Sequence, residues 1–174
     1  MTPLAELEAD FEPFIGMPQA GWRTIGDTRP DIFRAECAFA IAMTNWYYAK
    51  VWTDRWKNTA IVAPSRTGNL VLLEVDDGLL FYTWMKLSGM DMLSVMSGET
   101  PTMSQWKSRT GGLFINDMVA TEPVHPARAF RAVVNSTVLL NLAEIGDRIV
   151  YRREASVRAD DRIGYAIASL KTGR

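Results

Sequence analysis

Residues 113–152 read LFINDMVATEPVHPARAFRAVVNSTVLLNLAEIGDRIVYR. The first eight are dense in apolar residues and end at a Thr-Glu-Pro break, which predicts a buried strand. The next part predicts a helix over about 126–145. Pro126 fits its first turn, where the missing N–H costs nothing, and Gly146 fits its stop. DRIVYRRE, 147–154, then predicts another strand. A strand, a helix and a strand in that order put the helix on one face of a sheet, so the flanking sequence has to supply the rest of that sheet.

It does so on both sides. Upstream, NLVLLEV (69–75), DDG (76–78) and LLFYTW (79–84) read as strand, turn and strand, with Asp77-Gly78 as the hairpin signal. Downstream, RIGYAIASL (162–170) reads as a closing strand after the connection ASVRADD. SGMDMLSVMSGE (88–99) and TPTMSQWKS (100–108) read as short helices or ordered loops. TAIVAP (59–64) is a short β-branched run. IFRAECAFAIAMTNWYYAKVW (32–52) sits in a helix predicted over about 30–52, capped by Asp27 or Thr28 with Pro30 in the first turn. Its apolar residues cover most of its surface, which predicts burial on more than one side. Thr2-Pro3 starts an N-terminal helix carrying Leu4, Leu7, Phe11 and Phe14, ended by Pro13 and Gly16, and 16–30 reads as a loop. The fold class expected is α+β: a single mixed, mostly antiparallel sheet with flanking helices. One domain spans 1–174, with 1–29 as N-terminal helix and loop and 30–174 as the core.

Composition narrows the function. The net charge is −1, so no basic field points to nucleic acid. One cysteine, Cys37, and one histidine, His125, exclude an internal disulfide and a zinc cage, and no carboxylates cluster at ligand spacing, so neither a metal nor a cofactor is expected. Cys37 lies among alanines and reads as a small core residue. The acidic, amphipathic start is unlike a signal peptide, and no apolar run reaches the length of a membrane span. The expected location is cytoplasmic. Six Trp and nine Met suit either a bulky core or a surface that grips other proteins.

Two residues of the opening stretch carry possible chemistry. Asp117 is an acid in an apolar strand, and His125 is the only side chain that titrates near neutral pH. An acid–base pair needs them within hydrogen-bond reach. The competing readings are that Asp117 bonds a backbone N–H and that His125 caps its helix. Ser136, Thr137 and Ser156 have no positioned base, so no hydrolase triad can be drawn. Arg128, Arg131, Arg152, Arg153 and Arg158 are candidates to grip a phosphopantetheine or a carrier protein, or else form solvated faces.

The strand–helix–strand unit suits the heart of an acyltransferase fold of the GNAT type. The usual glycine-rich phosphate loop is absent, because TEPVHPAR holds two prolines and no glycine, which argues against an ordinary acetyl-coenzyme A site. Within 43–165 the chain resembles the toxin-activating, or hemolysin-activating, lysine acyltransferases. Tyr82-Thr83-Trp84 and Leu87-Ser88 match that family's aromatic strand. Trp106, Ser108 and Gly111 match its turn, and Phe114, Ile115, Asp117, Val119 and Ala120 match its second strand, with Asn116 as an extra residue. The resemblance implies a GNAT-like fold that moves a fatty acyl group from acyl carrier protein to a lysine of a protoxin, using an aspartate and a histidine. The aspartate carries over to Asp117. The histidine falls between Met43 and Asn45, where this chain has Met-Thr-Asn.

Two functions are therefore expected. In one, the fold is kept and catalysis lost, and the protein is a structural or adaptor component of a larger assembly such as a phage particle, with protein partners and a virion-associated location. In the other, the protein is an active lysine acyltransferase with acyl carrier protein as donor. Asp117 and a relocated base, His125, then act together, Trp84 and Trp106 line the acyl channel, and Arg128 and Arg131 bind the donor.

Overall fold

A computed structural model describes residues 22–24, 31–44, 58–153 and 162–170. The predicted N-terminal helix, the end of the long helix beyond Thr44 and the connection ASVRADD lie outside those residues. Six strands form one sheet in chain order: β1 (Trp22–Thr24), β2 (Leu70–Val75), β3 (Gly78–Leu87), β4 (Gly112–Ala120), β5 (Arg148–Arg153) and β6 (Arg162–Ile167). All neighbours are antiparallel except β4 and β5, which are parallel. The mixed, mostly antiparallel sheet with flanking helices is the expected fold class.

The α-helices among the described residues are α1 (Asp31–Thr44), α2 (Ala63–Thr67), α3 (Gly89–Met96), α4 (Met103–Lys107) and α5 (Pro126–Leu139). α5 makes the crossover from β4 to β5, as parallel neighbours require. It packs on one face of the sheet against Leu73, Val75, Leu80, Tyr82, Trp84, Leu113, Ile115 and Ile149. The other face carries two apolar clusters. Cys37, Ala38, Ile41 and Ala42 of α1 cover Leu70, Leu72, Phe81 and Val119. Val95 of α3 and Trp106 of α4 cover Met85, Leu87, Phe114 and Val150.

Several elements depart from the sequence reading, each for a local reason. Trp22–Thr24, inside the predicted loop 16–30, adds a strand to β2. The run TAIVAP is helical: one wide turn, Asn58–Val62, leads into α2, and Ala60 and Ile61 of that turn pack over the sheet instead of joining it. α1 buries one face only, with Glu36, Ala40 and Met43 exposed. α5 stops at Leu139, not near 145. Asn141 turns left-handed at φ 57°, and Leu142 and Ala143 both donate to the Thr137 carbonyl, so the carbonyls are satisfied before Gly146 is reached. The β2–β3 turn is Asp76-Asp77, with Asp76 at φ 53°, and Gly78 already pairs with Val75. Gly78 is needed for closeness: a Cβ there would lie 2.2 Å from Val124 Cγ2.

Candidate functional site

β4 contains one residue more than its partner. Thr83 pairs with Asp117 and Trp84 with Ile115, so Asn116 is a bulge. Before it, Leu113 and Ile115 face α5 while Phe114 faces α3 and α4. After it, Met118 and Ala120 face α5 while Val119 faces α1. Side chains alternate along a strand, so the extra residue puts Asp117 on the α1 face. Without Asn116 the carboxylate would point under α5.

The bulge also marks where the sheet opens. β4 and β5 pair only at Leu113, Phe114 and Ile115, opposite Ile149, Val150 and Tyr151. Asn116 and Asp117 are the first residues past the last pair. Asp117 is 6% exposed, and its Oδ2 accepts from Asn116 Nδ2 at 2.7 Å. Thr83, directly across the strand pair, is fully buried, and its hydroxyl has no hydrogen-bond partner.

His125 lies elsewhere. Thr121 N–H donates to the Leu79 carbonyl, Leu79 N–H donates to Thr121 Oγ1, and Val124 is buried against Gly78. These contacts pin the loop TEPVH to the start of β3, so it does not fold back towards Asp117. From Asp117 to the end of β4 is three residues, on the order of 10 Å along the strand. His125 lies beyond that end, opening a helix that packs on the opposite face. Its imidazole is exposed, and Nδ1 accepts from Ala127 N–H at 3.2 Å, as a helix cap. The structure therefore does not bring Asp117 and His125 together as an acid–base pair.

The other candidates are likewise dispersed. Trp84 belongs to the cluster under α5 and Trp106 to the cluster on the other face, so the sheet separates the two rings. Trp84 lies 5.2 Å from the guanidinium of Arg109, which donates to the carbonyls of Thr67, Trp106 and Ser108. Arg128 makes two 2.7 Å bonds to the Asp76 carboxylate, tying the first turn of α5 to the β2–β3 turn. Arg131 is exposed on α5. At the start of α5, Pro126 has no N–H, His125 caps Ala127 N–H, and the N–H groups of Arg128 and Ala129 bond the His125 carbonyl, so no anion cradle opens there.

Polar groups under α5 serve structure. Ser136 donates to the Val133 carbonyl, and Tyr82 Oη lies 2.7 Å from Ser136 Oγ, so the phenol is the donor of that pair. Burial holds the Tyr82 phenol well above its ordinary value, and the Ser136 bond only partly offsets it. Burial, followed by the neighbouring Glu36 charge, pushes the Cys37 thiol up to about 11. At the end of α1, where the resemblance would place a histidine, Met43 is exposed and the Thr44 hydroxyl donates to the Ile41 carbonyl. Among the described residues no three His, Cys, Asp or Glu side chains group as metal ligands, and no helix is long and apolar enough to cross a membrane.

Sequence reasoning found Asp117 and missed Thr83, the residue opposite it in the strand pair. The signal was present in Asn116, the extra residue in the strand match, because an odd residue in a strand reverses every side chain after it. No family model, curated protein or solved structure matches the chain.

Proposed function

We propose that the chain keeps an acyltransferase-type core, has lost the transfer chemistry, and acts as a structural or adaptor component of a larger protein assembly, of which a phage particle is one kind. The observation that carries this reading is the separation of Asp117 from the only histidine. Acyl transfer to an amine needs a proton acceptor beside the reacting nitrogen. Asp117 has no imidazole within reach, and neither Met43 nor Thr44 takes a proton near neutral pH. The exposed apolar residues Met90, Leu93 and Met103 on α3 and α4, and Tyr165 and Ile167 on β6, add surface of the kind that protein partners cover. The test is the native mass of the protein sedimented from its own source. Co-sedimentation at fixed stoichiometry in a defined particle is expected. A freely sedimenting 19.5 kDa monomer would remove the assembly role.

A second reading, an active protein-lysine acyltransferase fed by acyl carrier protein, is favoured by one observation. The parallel strands part beside Asp117, and the bulge aims its carboxylate at the α1 face. In that reading Asp117 itself takes the proton. Transfer from acyl carrier protein that survives His125→Ala and is abolished by Asp117→Asn would establish it.

A further inference from the structure

We propose that Thr83 is the positioning residue of Asp117, a reserve donor that receives the carboxylate when it turns away from Asn116. The inference rests on Asp117 being the polar group of the site, as in the second reading above. A buried hydroxyl without a partner costs roughly 1–3 kcal/mol, and valine has nearly the same shape and no such cost. Such a group in a tightly packed sheet requires an explanation.

The sheet around Thr83 leaves one candidate partner. On its face, β3 offers Phe81 and Met85, β2 offers Leu70 directly opposite and Leu72 diagonally, and β4 offers Phe114 and Val119 on the diagonals. All are apolar. Asp117, directly opposite on β4, is the only acceptor among these sheet neighbours, and it is there because the Asn116 bulge reverses the strand.

Directly opposed side chains have Cβ atoms about 4.5–5.5 Å apart, so rotation about side-chain bonds is enough to join them. A carboxylate offers about four acceptor sites, which leaves room for Asn116 and Thr83 as alternative donors. Within the α1 face the carboxylate thus has two settings: the one seen, in which Asn116 donates to it, and a second in which Thr83 does. Thr83 acts through Asp117 and touches no substrate.

The test is a double-mutant cycle read on the acid dissociation constant of Asp117, followed by the carboxyl ¹³C signal that Asp117→Asn deletes. Asn116→Ala and Thr83→Val are each expected to change that constant by less than about threefold, because the other donor takes over. Together they should weaken the acid more than either change alone, by at least about tenfold, since the ionised form has lost two donors. Thr83→Ser in the Asn116→Ala background should restore it. A structural role for Thr83 would not move this constant, so an unchanged value when Thr83→Val is added to Asn116→Ala overturns the proposal. If the double variant does not fold, a crystal structure of Asn116→Ala decides: Thr83 Oγ1 within about 3 Å of the carboxylate is expected, and an unpartnered hydroxyl is contrary. Acyl transfer is measured separately. A cycle that behaves as expected without transfer in any variant supports the positioning and removes only the second reading.

Discussion

Tyr82 and Thr83 are adjacent on β3 and point to opposite faces of one sheet. On the α5 face, Tyr82 closes a buried hydroxyl pair with Ser136, and the apolar cluster around it is continuous. On the α1 face, the Thr83 hydroxyl has no partner, and neither Thr83 nor Asp117 belongs to the two apolar clusters that flank them. Ser65 Oγ and Trp106 Nε1, from helices packed on that side, are also buried without partners. A satisfied polar pair rigidifies a core, whereas an unsatisfied hydroxyl opposite a carboxylate marks where stability was given up. The α5 face is fully satisfied packing, and the α1 face holds the candidate site.

The strongest challenge to this division is truncation of its largest side chain. Trp106→Ala should cost about 3–5 kcal/mol in denaturant unfolding. Trp106→Phe, which removes the unpartnered N–H and keeps a ring, should cost less than half of that. Equal losses would mean that the N–H is bonded. Next comes alkaline pH. An acid whose pKa is raised by folding holds its proton more tightly in the folded chain, so its contribution is whole below the unfolded value and lost as pH rises. For Cys37, raised from 9.0 to about 11, stability should fall by on the order of 2 kcal/mol between those values, with a further fall from Tyr82 above about pH 10. Cys37→Ala and Tyr82→Phe should each flatten their part of the curve. A curve that stays flat in the wild type would place both groups in water.

Smaller effects compare the faces directly. Tyr82→Phe should destabilise by about 1–2 kcal/mol, because Ser136 Oγ loses its donor, whereas Thr83→Val should be neutral or stabilise by up to about 1 kcal/mol. Loss from both, at similar size, would erase the distinction. His125→Ala should cost only about 0.5–1 kcal/mol, the value of a helix cap. Arg128→Ala should cost less still, within about 0.5 kcal/mol, since its pairing with Asp76 is exposed.

Much of this was legible in the sequence. The hairpin, the central strand, the two short helices and the crossover helix follow from apolar periodicity and turn residues, which are local signals. The length of α5 was not, because Asn141 ended it before Gly146. Nor was the helical state of TAIVAP, where packing over the sheet overrides β-propensity. At the site, Asp117 stood out as an acid among apolar residues. Its separation from His125 depended on two non-local facts, the bulge that turns Asp117 to the α1 face and the anchoring of Val124 on Gly78. Eight residues in sequence span both faces of the sheet, and spacing alone does not carry that information.

The most direct test is acyl transfer itself. The purified chain is incubated with a long-chain acyl carrier protein and lysine-bearing peptides, and the peptides are weighed by mass spectrometry. No acyl adduct above the enzyme-free background is predicted, for wild type and His125→Ala alike, because the only imidazole caps α5 away from Asp117. Robust transfer by the wild type would contradict the account, and its loss in His125→Ala would show that His125 reaches the site after all.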